Sequence, residues 1–224
     1  MRIPESELII NSDGSVFHLH IKPGQLADRI VLVGDPGRVA MFKKYFDSLE
    51  CEGASREFVW ATGLYKGVRL TALSTGIGTD NCDIVVNEID ALANIDFSTR
   101  QEKADKRSLE IVRIGTCGAM QDDIPLGTFL VSVKSIGFDG VLAFYDGRDR
   151  IADLGFEKAL VDFIGYPKKA AIPYVVAANP ELVDRIAGDD MTRGCTIAAN
   201  GFYGPQGRSV RLELTVPDLI EKLN

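Results

Sequence analysis

Apolar and polar residues alternate along the chain in short blocks that predict strands and helices in turn. The run Arg29–Val33 is rich in β-branched residues and ends at Gly34, after which residues 39–46 follow with helical spacing. Asp35 is a favourable helix N-cap and Pro36 suits the first helical position. This stretch therefore predicts a strand, a glycine-containing loop and a helix.

The same alternation recurs along the rest of the chain. We expect a hairpin of strands 57–65 and 68–74 that turns at Lys66-Gly67, followed by an amphipathic helix. That helix carries Ile84, Val85, Glu88, Ile89 and Leu92. Further strands are predicted at 109–114, 128–136, 172–178 and 195–199, and a further helix at 180–186. Strands that alternate with helices predict an α/β protein with helices on both faces of a largely parallel or mixed sheet, in one domain over residues 1–224.

Composition, charge and cysteine spacing exclude several classes of protein. The chain has 224 residues, 46% hydrophobic, which suffices for a core without disulfides or a structural metal. Its net charge of −7 argues against nucleic acid and anionic membranes as partners. The N-terminus has no signal-peptide or transit-peptide pattern, no apolar run approaches the roughly 20 residues of a membrane span, and the four cysteines form no C-x-x-C pair. We expect a cytoplasmic protein, with residues 98–108 as a charged surface insertion.

Three glycine-containing loops follow apolar strands, at residues 34–38, 75–78 and 115–118. In an open α/β sheet, ligands bind beyond the carboxyl ends of the strands, where such loops point backbone N–H groups at an anion. Each loop alone is better explained as a tight turn that needs glycine for steric reasons.

Arginines beside these loops favour an anion site. Arg38 opens the first helix, Arg56 precedes the hairpin, and Arg113 interrupts an apolar strand two residues before Gly115. A guanidinium fork suits phosphate oxygens, so these arginines indicate a site for phosphate or a phosphate ester. A charge inside an apolar strand needs a partner, which is either a bound anion or a buried carboxylate.

Residues 200–208 combine Phe202, Tyr203, Gln206 and Arg208 in a Gly/Pro-rich loop. This set could stack on a flat heterocycle and donate hydrogen bonds to its carbonyl groups. Composition alone favours the alternative, a surface loop with a half-buried aromatic residue.

The sequence gives less support to a metal site, to a nucleotide-binding motif or to a serine nucleophile. The two histidines, His18 and His20, would share one face of a strand, but no third histidine completes a metal site, so an ordinary polar strand face is favoured. The chain has no P-loop and no G-x-S-x-G motif, and Asn81 occupies the third glycine position of a dinucleotide fingerprint.

Six motifs in order closely resemble the uridine phosphorylases of the nucleoside phosphorylase family, over residues 16 to 211. They are Val16–Leu19, Gly34–Arg38, Ser55–Phe58, Ser74–Gly78, Arg113–Ala119 and Phe202–Arg208. The resemblance implies a three-layer fold with a central mixed sheet flanked by helices. It also implies cleavage of uridine by inorganic phosphate to uracil and ribose 1-phosphate, a step of nucleoside catabolism and pyrimidine salvage.

The resemblance also implies roles for individual residues. Phosphate would be bound by Gly34, Arg38, Arg113 and Thr116, with Arg56 reaching it from a neighbouring subunit. Arg38, Arg113 and Thr116 would be the catalytic residues. Nucleoside would be bound by Phe202, Gln206 and Arg208, and by His18 of a neighbour at the ribose 5′-hydroxyl.

The resemblance further implies a homodimer or homohexamer with shared active sites. No cofactor is implied beyond phosphate as co-substrate, although some family members hold a potassium ion between subunits, near the positions of Glu57 and Ile77. The partners would be small molecules, nucleoside and phosphate.

One family motif is missing, the Glu-Met-Glu run that holds the ribose. We expect either a C-terminally shortened chain or a degenerate relative. The alternatives to uridine phosphorolysis are a purine nucleoside phosphorylase, a nucleosidase, or an inactive protein that binds phosphate or nucleoside. Gln206 with Arg208 favours a pyrimidine, and the three arginines favour phosphate over water.

Overall fold

The computed structural model describes residues 1–224, which divide into two compact units. The first unit is Met1–Thr116 and the second is Cys117–Asn224. Each unit has its own sheet, helices and buried core. None of the helices has the length and apolar character that a membrane span requires. The single-domain organisation stays a prediction.

The first unit is built on a five-stranded mixed sheet. Its elements are β1 (Arg29–Val33), α1 (Pro36–Lys43), β2 (Ser48–Ser55), β3 (Phe58–Tyr65), β4 (Val68–Ser74), α2 (Thr79–Asn94), β5 (Ile95–Asp96), β6 (Gln101–Glu102) and β7 (Glu110–Ile114). The strand order is β2-β3-β4-β1-β7, and β1 runs parallel to both β4 and β7. Strands β2, β3 and β4 pair antiparallel, and β5 and β6 form a separate two-stranded ribbon.

Alternation along β1 gives this sheet a core on each face. Leu32 packs in a cluster with Val85 and Leu92 of α2, whereas its neighbour Val33 packs in a cluster with Val39 of α1. Successive side chains of a strand point to opposite faces, so the two helices cover opposite faces of the sheet.

The second unit is built on a three-stranded mixed sheet. Its elements are β8 (Phe129–Gly137), α3 (Arg148–Ile151), α4 (Leu154–Ile164), β9 (Tyr174–Ala177), α5 (Pro180–Ile186), β10 (Met191–Ala198) and α6 (Leu219–Leu223). Strand β8 pairs parallel with β10 and antiparallel with β9. Buried Glu157 of α4 accepts a hydrogen bond from the backbone N–H of Val175 in β9 and forms an ion pair with Arg148 of α3, so one carboxylate links these three elements.

The predicted α/β class is confirmed, with mixed sheets and flanking helices. Asp35 caps α1 by accepting a hydrogen bond from the N–H of Gly37 at 2.8 Å, and Pro36 is the first helical residue. The hairpin turns at Lys66-Gly67, where both residues have positive φ, as a type I′ turn requires. Helix α1 ends at Lys43, three residues earlier than the spacing of apolar residues suggests.

The hydrophobic pattern did not predict several elements, among them β2 and α4. Strand β2 lies at the edge of the sheet and has few apolar side chains, but it pairs along its length with β3. A Cβ on Gly53 would lie 2.7 Å from the ring of Trp60, so glycine lets the two strands approach. Helix α4 is capped by Asp153, which accepts from the N–H of Phe156 at 3.1 Å.

The charged segment 98–108 is largely exposed, as expected of a surface insertion, and two of its arginines anchor it to the rest of the unit. The side chain of Arg100 is only 11% exposed and donates to the carbonyl groups of Ile3 and Leu8. Arg107 pairs with Asp28. Arginine carries several donors in a fixed fork, and here these donors hold the segment and the N-terminal residues together.

Candidate functional site

The three glycine loops of the sequence follow the carboxyl ends of β1, β4 and β7 in the first unit's sheet. Val33 at the end of β1 is in register with Ser74 of β4 and with Ile114 of β7. These three strands are adjacent and parallel, so the loops that follow them start at the same level. We call this side of the sheet the glycine edge, defined by Gly34, Gly76 and Gly115.

The guanidinium of Arg113 lies against two of these glycines. A Cβ built on Gly115 would be 2.5 Å from Nη1, and one built on Gly34 would be 3.5 Å from Nη2. Arg113 is exposed at the end of β7, so the expectation of a charge buried within an apolar strand is wrong. It has no carboxylate partner within the chain, in contrast to Arg29, which pairs with Glu110 near the opposite end of the same strands.

Arg38 and Arg56 also form no direct ion pair, although Arg56 interacts electrostatically with the carboxylate of the adjacent Glu57. Arg38 is half-buried in the first turn of α1, directly after the loop that contains Gly34. Arg56 is exposed in the β2–β3 turn, where its φ of 53° is unusual for a residue with a side chain. The hydroxyl of Ser74 donates to the Glu57 carbonyl at 2.6 Å and so holds this turn beside the end of β4. Three guanidinium groups that form no direct ion pair lie at the carboxyl end of these strands, an arrangement that suits an anionic ligand.

Thr116 completes the residues that the sequence singles out in the first unit. It is exposed and lies directly after Gly115 in the loop that follows β7. Its hydroxyl group has no hydrogen-bond partner within the chain, so the group is free to bind a ligand.

Replacing Gly115 with alanine is expected to weaken phosphate binding about tenfold and to leave Tm of the free protein unchanged. The new methyl group would displace the Arg113 guanidinium, and the end of an exposed arginine can move at little cost in stability. The Tm increase on adding inorganic phosphate measures the binding.

Gly24→Ala is the matched control, because a Cβ there meets no atom within 4 Å. An unchanged phosphate response in Gly115→Ala would show that the position of the Arg113 guanidinium is irrelevant to anion binding.

The family resemblance places a potassium ion near Glu57 and Ile77, and the side-chain amide of Asn81 bridges an oxygen of each of these residues. Asn81 Nδ2 donates to Glu57 Oε1 at 3.0 Å and to the carbonyl oxygen of Ile77 at 3.1 Å. The backbone N–H of Glu57 and the Asn81 amide together hold the pKa of the Glu57 carboxyl below its ordinary value. The amide nitrogen stands where a cation would contact both oxygens, so these residues do not fit a potassium ion.

We therefore expect Tm and turnover to be the same in potassium and sodium salts of equal ionic strength. Asn81→Ser should remove the bridging nitrogen and let the two oxygens respond to the cation present. A Tm of the unaltered protein that rises with potassium but not with sodium would contradict this assignment.

His18 and His20 lie in a turn, so the strand on which they were expected to share a face is absent. His20 has a φ of 52° and is exposed. His18 is half-buried, and its Nδ1 lies 2.6 Å from Oε1 of Glu88 on α2. The sequence contained one sign of this contact, because Glu88 is an acidic residue on the apolar face of a helix. The sequence contained no comparable sign that the Asn81 amide bonds both Glu57 and Ile77.

The loop after β10 forms a compact cluster in the second unit. The Arg208 guanidinium lies 4.2 Å from the ring centre of Phe202 and donates to the Phe202 carbonyl at 2.9 Å. It also donates to Oε1 of Gln206. Phe202 is 61% exposed and meets Tyr203 edge to face, so the half-buried aromatic of the alternative interpretation is wrong.

This cluster presents a ring and several polar groups. Gln206 Oε1 keeps a second lone pair after accepting from Arg208, and its amide nitrogen keeps two donors. A Cβ on Gly118 would lie 3.8 Å from Arg208 Nη2, so the loop that contains Gly118 borders the cluster. An exposed aromatic face beside amide and guanidinium donors can hold a planar ring that carries carbonyl groups.

Comparison with known protein families identifies relatives over most of the chain. The sequence model of the Phosphorylase superfamily matches residues 28–221. A uridine phosphorylase of Thermococcus kodakarensis is 29% identical over 152 residues, which are 67% of this chain and 50% of that protein. A DeoD-type purine nucleoside phosphorylase of Bacillus cereus is 28% identical over 223 residues, 91% of this chain and 86% of that protein. The chain thus spans half the length of the first relative and most of the second.

Solved structures of nucleoside phosphorylases have a fold similar to that of this chain. A Trypanosoma brucei nucleoside phosphorylase, described as showing uridine phosphorylase activity, superposes with a TM-score of 0.81 at 34% identity, over 96% of this chain and 77% of that one. A structure from a study of two uridine phosphorylases of Phytophthora capsici gives 0.61 at 26% identity, over 96% and 73%. The prediction of a nucleoside phosphorylase-like fold is confirmed.

Proposed function

Because the chain belongs to the phosphorylase superfamily, we propose that it cleaves uridine, or a closely related pyrimidine nucleoside, with inorganic phosphate to give uracil and ribose 1-phosphate. The observation that carries the proposal is the pair of arginines without an ion pair, Arg38 and Arg113, beside the glycine edge. An anionic co-substrate would neutralise them. The similarity to the Trypanosoma brucei enzyme supports uridine as the nucleoside.

In the proposed reaction, Arg38, Arg113 and Thr116 hold phosphate, with the backbone of Gly34 beneath it. An oxygen of hydrogen phosphate attacks the anomeric carbon as the bond from that carbon to the base nitrogen breaks. The bonding electron pair leaves with the base, and the phosphate proton ends on that nitrogen, so atoms and charges balance. The bound phosphate dianion stabilises the positive charge that develops on the sugar.

Gln206 and Arg208 would act on the leaving base. Negative charge develops on the uracil oxygens as the bond breaks, and amide and guanidinium donors directed at those oxygens stabilise it. The remaining lone pair of Gln206 Oε1 suits the N3–H of uracil. Phe202 would pack against the nucleoside.

Two residues would serve a neighbouring subunit in the proposed assembly. Arg56 would reach the phosphate across the subunit interface, and His18 would contact the ribose 5′-hydroxyl. The proposal therefore includes a homodimer or homohexamer with shared active sites.

A purine nucleoside is the second candidate substrate. The Bacillus cereus purine nucleoside phosphorylase aligns over 91% of this chain, a larger share than the 67% for the uridine phosphorylase of Thermococcus kodakarensis. Phosphate would play the same part in either reaction, so the base alone separates the two candidates.

Base release by the purified 224-residue chain tests the proposal. Uridine, thymidine, inosine and adenosine are incubated separately, each with and without inorganic phosphate. The proposal expects uracil release that requires phosphate, with kcat/KM for uridine at least about tenfold above that for inosine. Preferred release of hypoxanthine would favour the purine candidate. No release, with Tm still raised by phosphate, would identify an inactive phosphate-binding relative.

A further inference from the structure

The carboxylate of Glu88 is nearly buried and accepts hydrogen bonds from one short turn. The backbone N–H of His18 lies 3.0 and 3.2 Å from its two oxygens, and that of Leu19 lies 2.9 Å from Oε2. The imidazole Nδ1 of His18 lies 2.6 Å from Oε1. The Glu88 side chain is 11% exposed. One carboxylate on α2 thus fixes both the backbone and the ring of residue 18.

These contacts determine which ring nitrogen carries the proton. The Glu88 carboxylate accepts hydrogen bonds from two backbone N–H groups, and an ionised carboxylate has no proton to donate. The short contact to Nδ1 therefore requires Nδ1 to be the donor. In the neutral imidazole, Nε2 then carries the lone pair and is an acceptor. Nε2 has no partner within the chain, and the His18 side chain is 29% exposed.

The ring is also held from the side. The Phe17 ring meets the His18 ring edge to face, with 4.8 Å between their centres. Both rings line a cavity of about 350 Å³ that Ile84 and Ala91 of α2 also border. The imidazole thus lies beside a cavity lined by both apolar and polar residues, with Nδ1 bonded to Glu88 and Nε2 without a hydrogen bond within the chain.

We propose that Glu88 is a positioning residue that holds His18 as its Nδ1–H tautomer, so that Nε2 accepts a hydrogen bond from the ribose 5′-hydroxyl. The role of the 5′-hydroxyl rests on the proposed function, whereas the tautomer rests on the contacts of Glu88 alone. An acceptor at this point selects substrates that offer a donor. A nucleoside with a free 5′-hydroxyl is therefore preferred to its 5′-deoxy analogue and to a nucleoside 5′-phosphate, whose oxygens are acceptors.

The tautomer is measured by long-range ¹H–¹⁵N correlation spectra of the unaltered protein at alkaline pH, where imidazole is neutral. With only two histidines in the chain, a His20→Gln variant assigns the signals. We expect His18 to be protonated on Nδ1, and to shift toward the Nε2–H tautomer in Glu88→Gln. Protonation of His18 on Nε2 in the unaltered protein would overturn the proposal.

The kinetic test compares uridine with 5′-deoxyuridine. Glu88→Gln should lower kcat/KM for uridine about tenfold, mainly through KM, and leave 5′-deoxyuridine within about twofold. Asp90→Asn is the control, since this carboxylate lies on the same helix, is exposed and bonds Asn94 rather than His18. Equal losses for both substrates in Glu88→Gln would mean a merely structural role and would overturn the proposal.

A second variant covers the case in which Glu88→Gln does not fold. His18→Asn keeps a donor for Glu88 but removes Nε2, so it should lose the preference for uridine over 5′-deoxyuridine. Retained preference in His18→Asn would overturn the proposal. The tautomer measurement needs no turnover: an Nδ1–H His18 in a protein that cleaves no uridine would support the hold of Glu88 on the ring and contradict the proposed function.

Discussion

Replacing Arg113 with alanine is expected to lower kcat/KM for phosphate by about 10²- to 10³-fold, the usual loss when one preorganised donor to a reacting anion is removed. The guanidinium lies over Gly34 and Gly115 with no carboxylate to neutralise it. In the proposed reaction it holds the nucleophile at the anomeric carbon, so its loss should affect both phosphate affinity and turnover. Steady-state kinetics with phosphate varied at saturating uridine measures the effect.

Arg29→Ala is the matched control for Arg113→Ala. Arg29 lies at the start of β1, at the far end of the same sheet, and forms an exposed ion pair with Glu110. Such pairs contribute about 0–1 kcal/mol to stability, so this variant should keep its activity and nearly all of its stability. If Arg113→Ala behaved like Arg29→Ala, phosphate would bind elsewhere than the glycine edge.

Gln206→Leu is expected to lower kcat/KM for uridine by about 10²-fold or more. Leucine fills a similar volume but leaves uracil carbonyl and N3–H groups without partners, and sites built to hydrogen-bond a ligand lose most when those bonds are absent. The phosphate-induced rise in Tm should stay unchanged, because Gln206 belongs to the proposed base site. Kinetics with uridine varied and thermal melts with phosphate measure the two effects separately.

Gln121→Leu serves as the control for this substitution, since Gln121 is an exposed residue of the same unit. A Gln206→Leu enzyme that cleaves uridine within about twofold of the normal rate would place base recognition outside the 200–208 loop. Loss of the phosphate response together with activity would indicate that the substitution disrupts the fold instead.

Most of the regular elements could be predicted because their local signals agree with their environment. The run Arg29–Val33 is apolar since β1 lies in the middle of the sheet, and Asp35 with Pro36 marks the start of α1 by capping chemistry. Strand β2 escaped prediction because an edge strand needs few apolar side chains, and its pairing with β3 is a long-range property. The anchoring of Arg100 likewise depends on residues almost a hundred positions away.

The candidate site could be predicted only as a set of residue types. Glycine loops and arginines indicated an anion site, and β-sheet register explains why residues as distant as Gly34 and Gly115 meet at one edge. The exposure of Arg113 was not predictable, because an apolar strand is ordinarily buried to its end. The link between His18 and Glu88 spans 70 residues, and only the fold brings them into contact.

The most direct test of phosphorolysis at the glycine edge is ³¹P NMR of uridine incubated with the protein and inorganic phosphate. We expect one ribose 1-phosphate for each uracil released, and formation of both products slowed by about 10²- to 10³-fold in Arg113→Ala. Release of uracil with free ribose and no new phosphate ester would show that water is the nucleophile and would rule out phosphorolysis.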